Sequence, residues 1–419
     1  MTSNRNDLST LGATALYVGA LLGPSLLLLP GLAARAAGPA SLLAWAGLLV
    51  LSGLIAIVFS RLGTTVGSSS GVAGYAEAGL GPWAGRAAAW CFLGGVVTGA
   101  PVVCLIGGAY VAELLRAGHR TAFAAAGVLL VMVLAMRLAG ARTGVRLQLA
   151  LVAVLVALVV LAVGGAAPSA RSAYWHPFAP HGWGSIVRAA SPLMLAFVGW
   201  EAAAPLTARL RNPRRQLPRV VGAAFAVTAV LYLALAAATI GVLGPEAGSS
   251  VPVAGLLEVA VGESGRAIAA AGAVALTLAA TNAYLTGATA MASALWRPAG
   301  TGRNRSAGLV AAIAATGGLL LGLAGSGLVG TAQFVAVPTA LFLAVYLGCM
   351  GAAARMLRGP VRVAAAVACL AVVQLLLFSG WAALLAAAVA VTAAASGGVR
   401  RSVLQRGRGR GGRVVRDAA

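Results

Sequence analysis

The chain has 419 residues, of which 60% are hydrophobic and 9% charged, with a mean hydropathy of +0.95. A soluble domain carries about 25% charged residues, so a water-soluble globule is excluded and a polytopic membrane protein is expected. The formal net charge of +22 comes from 30 arginines with no lysine, and their placement speaks for a membrane topology and against nucleic acid as a partner.

Apolar runs of about 20 residues, the length that crosses a bilayer, predict twelve spans: 11–34, 39–60, 84–115, 122–140, 147–166, 187–208, 219–243, 265–296, 306–325, 329–354, 361–378 and 380–397. With the N-terminus inside, 24 arginines fall at inner ends and 6 at outer ends. That bias follows the positive-inside rule and predicts both termini in the cytoplasm. A cleavable signal peptide is not expected, because the first apolar segment is too long and feeds into further spans. No stretch reads as a soluble domain.

The first span contains VGALLGPSLLLLPGLAA, Val18 to Ala34, with Gly23-Pro24-Ser25 at its middle. Proline removes a backbone donor and clashes with the preceding turn, while glycine loosens the helix. In hydrocarbon, freed backbone groups survive only where protein or a water-filled cavity satisfies them. The segment is therefore either a kink or a helix opened to hold something.

The linker from Gly63 to Arg86, GTTVGSSSGVAGYAEAGLGPWAGR, lacks the GxxxxGK[ST] spacing of a phosphate cradle. It reads as a tight turn with a short re-entrant or interfacial segment. Cys91, Cys104, Cys349 and Cys369 all fall inside predicted spans, and they read as small buried residues, not a metal or disulfide set. His119, His176 and His181 sit in outer loops without metal spacing. Gln148, near the inner end of span five, reads as structural.

Span six, SPLMLAFVGWEAAAPLTARL from Ser191 to Leu210, repeats the interruption: Gly199 at mid-membrane, then Glu201, then Pro205. Spans one and six would hold matching places in two five-helix halves of opposite topology. Matched interrupted helices are the best sequence pointer to a transporter's binding site. The free N–H groups and positive helix end at a break suit a carboxylate, and free carbonyls suit an ammonium or a cation. This favours an opened helix, with Leu22, Gly23, Pro24, Ser25, Phe197, Val198, Gly199 and Trp200 as candidate substrate contacts.

Of the eight acidic residues, Glu201 alone lies well inside a span. A carboxylate at that depth is costly when charged and is by default a functional hypothesis. No arginine is predicted at mid-membrane to pair with it, so a protonatable group for coupling or gating is expected. The competing role is a structural hydrogen-bonding group near the inner helix end. Thr277, Thr281, Asn282 and Tyr284 of span eight either line the cavity or bond neighbouring helices. Trp200 either gates the substrate or packs against helix ten. The tail, VLQRGRGRGGRVVRDAA, cannot build a core and reads as a disordered cytoplasmic segment meeting anionic lipid headgroups.

At these residues the chain resembles the amino acid–polyamine–organocation superfamily, in which a Gly-x-Glu in helix six precedes a cytoplasmic Asn-Pro-x-Arg-x-x-Pro. Here the pattern is Gly199, Glu201, Asn212, Pro213, Arg215 and Pro218. LLGPSLLLLP is similar to the family's unwound first helix, and GSSSGVAGYAEAGLG to its helix 2–3 loop. Order and compactness are most similar to the bacterial exporters of L-methionine and branched-chain amino acids. The resemblance implies an all-α integral membrane protein of the leucine-transporter-type fold. Two inverted five-helix repeats, 1–166 and 167–354, would be followed by two further helices over 355–398 and the tail over 399–419. It also implies a secondary active transporter of small neutral or hydrophobic amino acids in the bacterial plasma membrane, working by alternating access. An uptake permease or exchanger for another amino acid or amine is the alternative.

Three departures stand out. Ser25, preceded by Pro24, replaces the second glycine of the helix-one motif. Arg209 stands where an acidic residue is common. Span five has neither a lysine nor a sodium cage, which favours the proton over sodium as coupling ion. No enzyme is expected, since no catalytic cluster lies at membrane depth, and no cofactor or metal is expected.

Overall fold

In hydrocarbon every backbone polar group must be satisfied within the protein, and apolar runs of this length do so as helices. The computed structural model describes residues 9–66, 71–140, 145–202, 210–295, 302–328 and 330–395. Pro205, Arg209 and the tail lie outside them. The first half comprises α1 (Thr10–Leu21), α2 (Leu29–Ala37), α3 (Ser41–Thr65), α4 (Gly71–Leu80), α5 (Pro82–Leu114), α6 (His119–Leu138) and α7 (Val145–Ala166). The second comprises α8 (Ser185–Leu193), α9 (Pro213–Leu243), α10 (Pro252–Val261), α11 (Ser264–Leu295), α12 (Gly302–Gly325) and α13 (Thr331–Met356). Two more follow, α14 (Pro360–Phe378) and α15 (Trp381–Ala395).

The second half repeats the order of the first. A 10-residue helix, α4, precedes the 33-residue α5, and another 10-residue helix, α10, precedes the 32-residue α11. The packing repeats as well. The α4 helix lies on α13 and α10 lies on α7, while α1 packs on α9 as α8 packs on α3. This is the leucine-transporter-type fold. In the linker after α3, expected to hold a short re-entrant or interfacial segment, the described part is the 10-residue helix α4.

Among the described residues, nine helical stretches are long and apolar enough to cross a membrane. The other three predicted spans are the two interrupted ones and α15. Span seven begins at Pro213 and not at 219. Its first turn, PRRQLP, is too polar to register as a membrane segment, yet proline suits the first helical position and the Gln216 side chain accepts the Asn212 N–H at 2.8 Å.

Burial separates the centre from the rim. In its most apolar window α13 is 72% buried and α5 67%, against 22% for α14. Leu370, Leu377 and Leu384 are 71–76% exposed, an arrangement water would penalise and lipid tails accept. The loop between α7 and α8 is tied to one end of the bundle by backbone hydrogen bonds. Arg171 N–H donates to Gly241 O at 2.8 Å, and Ala40 N–H to Phe178 O at 2.9 Å.

Candidate functional site

The first break is built by sequence-local chemistry. The α1 helix stops at Leu21, Gly23 turns to φ −39°, ψ 178°, and Pro24–Leu27 form a single 3-10 turn before α2 starts at Leu29. Leu26 N–H and Leu28 N–H are returned to Gly23 O and Ser25 O, both at 3.1 Å. Among the described residues no acceptor meets the N–H groups of Gly23 and Ser25.

The second break lies across from it. The α8 helix ends at Leu193, Met194–Phe197 tighten into a 3-10 turn, and Val198 runs extended. Gly199 then takes φ +148°. A Cβ on Gly199 would stand 2.5 Å from Ala20 O, 2.9 Å from Ala20 C and 3.2 Å from Leu21 Cα. The two interrupted helices therefore cross backbone to backbone, and only glycine permits that approach.

Helix ends leave orphan carbonyls, and tyrosines from other spans collect them. Tyr232 of α9 has its hydroxyl 2.7 Å from both Leu21 O and Ala196 O. Tyr110 of α5 donates to Leu27 O at 2.8 Å. Tyr346 of α13 has its hydroxyl 2.6 Å from Glu201 Oε2 and 3.2 Å from Phe197 O. Gly199 N–H donates to the same Oε2 at 2.8 Å. Glu201 is buried, and among the described residues no basic side chain pairs with it.

A small cavity of about 50 Å³ opens between the breaks. It has room for roughly three or four waters. Span one contributes Ala20, Gly23, Pro24 and Ser25, and span six Leu195 and Val198. The α5 helix adds a face running from Gly95 to Val103, α11 adds Thr281 and Tyr284, and α13 adds Phe342. None of these side chains carries a formal charge at neutral pH.

Of the expected contacts, Gly23, Pro24, Ser25, Val198, Thr281 and Tyr284 line this cavity. Leu22, Phe197, Gly199, Trp200, Glu201 and Asn282 stand outside its walls; Leu22, Phe197, Trp200, Glu201 and Asn282 are buried. The polar edge of Trp200 turns to α3 and not to the tenth span, α13. Its indole N–H donates to Ser52 Oγ of α3 at 2.9 Å, and its ring lies 6.4 Å from that of Tyr17 of α1. Thr277 packs against α5, with its hydroxyl 3.4 Å from Val103 O. Gln148 is half-buried at the start of α7.

Sequence reasoning missed the α5 wall and the tyrosines Tyr110, Tyr232 and Tyr346. A signal for the tyrosines exists. A buried phenol seeks a partner, and two broken helices guarantee stranded carbonyls.

Residues 8–300 match the family model described as amino acid permease. Over 395 residues the chain is 29% identical to the "uncharacterized amino acid permease YecA" of Bacillus subtilis, covering 91% of this chain and 92% of that one. It is 30% identical over 282 residues to the "uncharacterized transporter Rv1999c" of Mycobacterium tuberculosis, 64% and 62% of the two chains. It is 27% identical over 238 residues to the "L-methionine/branched-chain amino acid exporter YjeH" of Escherichia coli, 55% and 56% of the two chains.

Proposed function

The chain belongs to the amino acid permease family, and from that premise we propose that it is a secondary active transporter of neutral, hydrophobic amino acids, of the methionine or branched-chain type, coupled to protons. One observation carries the substrate class. The cavity at the two helix breaks is walled by apolar and small residues, with Ser25, Thr281 and the Tyr284 phenol as its polar side chains and none charged. An apolar side chain is at home there, and a charged one would be buried without a counter-charge.

In this reading the carboxylate of the substrate meets the backbone of Leu22 to Ser25, and its ammonium meets the carbonyls of Phe197 to Glu201. Backbone amides without acceptors at Gly23 and Ser25 support the first half. Glu201 is the coupling group. Residues 1–166 and 167–354 form the two inverted repeats, which rock about this site in alternating access. The arginine bias supports both termini in the cytoplasm of a bacterial plasma membrane. Export is the direction of choice, supported by the resemblance to the Escherichia coli exporter.

A second reading is an uptake permease or exchanger for another amino acid or amine. It draws on a 28% identity over 254 residues to the human "cationic amino acid transporter 4". Counterflow in proteoliposomes with a panel of radiolabelled amino acids separates the two. Accumulation of leucine or methionine is expected, without accumulation of arginine or glutamate. Counterflow confined to charged amino acids would sink the hydrophobic-substrate reading.

A further inference from the structure

We infer that the ring of Phe342, seated against Gly95, sets the upper limit on the size of the side chain this protein carries. The inference rests on the transporter reading above and adds a specificity-determining pair to it. Both residues belong to the cavity walls.

The seat is built where two helices run past each other. The α13 helix carries Pro338 and Phe342 four residues apart, hence on one face, and that face meets the glycines of α5. A Cβ on Gly99 would stand 3.5 Å from Pro338 Cβ, and one on Gly94 would stand 3.4 Å from a Leu341 methyl. At Gly95 the fit is tighter: a Cβ would come within 3.0, 3.1 and 3.2 Å of three atoms of the Phe342 ring. Glycine therefore lets the ring lie against the α5 backbone, where any side chain would push it away. Two further rings hold its flanks, Phe92 edge-on at 5.9 Å and Tyr284 tilted at 6.4 Å, an arrangement aromatic pairs favour.

The polar groups of the cavity lie away from this seat in the chain. Span one brings Ser25 and the backbone amides of Gly23 and Ser25, which meet no acceptor among the described residues. The α11 helix brings the Thr281 hydroxyl, which is buried and makes no hydrogen bond among the described residues. A buried polar group without a partner is one that a ligand can satisfy. The α5 face and the Phe342 ring offer the ligand only apolar surface. A substrate whose carboxylate meets Gly23 to Ser25 thus has the wall of α5 and α13 for its side chain.

In a cavity of about 50 Å³ one ring decides what fits. An aliphatic side chain lies against the ring and gains by burial and dispersion. A phenyl group competes with the ring for the same place. Removing the ring leaves an apolar hole joined to the cavity, and dry apolar holes of this kind take up a benzene-sized guest. A methyl on Gly95 acts in the opposite sense. With Phe92 and Tyr284 at its flanks, the displaced ring moves into the cavity and lowers the limit.

The test compares initial counterflow rates of radiolabelled L-alanine, L-leucine and L-phenylalanine, at equal concentrations, in proteoliposomes of the full-length protein. Wild type is expected to carry leucine about tenfold or more faster than phenylalanine, the scale on which an apolar pocket discriminates by size. Phe342→Ala should raise the phenylalanine-to-leucine ratio by about tenfold or more. Gly95→Ala should lower the leucine-to-alanine ratio. A merely structural ring would, on removal, slow all three amino acids together, so a Phe342→Ala protein with unchanged ratios overturns the inference. Should that variant not fold, Phe342→Leu must still raise the phenylalanine ratio, and an unchanged ratio overturns it equally. A Gly95→Ala protein with the wild-type leucine-to-alanine ratio does the same. Wild type that carries phenylalanine as fast as leucine overturns the size limit but leaves the transporter reading standing. Counterflow of no amino acid at all removes both.

Discussion

At Gly199 the backbone adopts φ +148° with Ala20 O where a Cβ would need to be, 2.5 Å away. Both partners in that contact are backbone, so no rotamer change relieves it. Gly199→Ala is expected to lower stability by about 2 kcal/mol or more and to abolish counterflow. A variant that melts with the wild type would refute the close crossing. Gly23 is the informative contrast. A Cβ there meets nothing within 4 Å, so Gly23→Ala should fold with a stability change of about 0.5 kcal/mol or less. The methyl stands beside a cavity of about 50 Å³, and leucine affinity should drop. Glu201→Gln removes the proton while keeping shape and an acceptor for Gly199 and Tyr346. Exchange should persist in proteoliposomes, and the response to an imposed pH gradient should vanish. If a well-folded variant still follows the gradient, Glu201 is not the coupling group. If it fails to fold, the residue is structural.

An interrupted helix is viable at membrane depth only when its ends find partners. Local 3-10 turns return some of these groups, and tyrosine hydroxyls from α5, α9 and α13 take others. Tyr232 is the one shared by both breaks, which makes it the joint between them. Tyr232→Phe leaves its ring stacked on Trp45, 5.0 Å between centroids, and deletes only the donor. The expected loss is about 1–2 kcal/mol, measured by thermal melting in detergent, together with altered counterflow because both helix ends loosen. Unchanged melting and unchanged transport would show that water replaces the hydroxyl without consequence.

Across the whole molecule, the end of the bundle proposed to face outward is shut. The Arg35 side chain donates to Gly248 O, tying α2 to the turn after α9. Gly31 meets Ser249 O so closely that a Cβ would stand 1.9 Å from it. Beside this contact lies a crevice of about 660 Å³ with Arg35, Glu113, His181 and Glu246 in its walls. Opening toward that side requires α2 to leave the turn. Arg35→Ala should therefore favour the open form. With the four native cysteines replaced, the buried Ala247 offers the readout as Ala247→Cys, whose labelling by an impermeant thiol reagent should rise several-fold. Equal labelling with and without Arg35 would count against the latch.

Much of this was legible without coordinates. Transfer to a bilayer acts residue by residue, so span number and most span limits follow from apolar runs. Gly23-Pro24 and Gly199 break helices through their own dihedral freedom or missing donor, so both interruptions can be read locally, as can the carboxylate of Glu201 beside the second. Polar first turns escape this logic, which is why span seven begins at Pro213. What only the tertiary structure decided is the company these residues keep. Glu201 meets Tyr346 from 145 positions away, Trp200 meets Ser52 from 148, and Leu21 meets Tyr232 from 211. A stranded carbonyl accepts a donor from any neighbouring span, and apolar packing against lipid leaves the rotation and register of each helix open. Which tyrosine arrives is settled only when all the helices pack together.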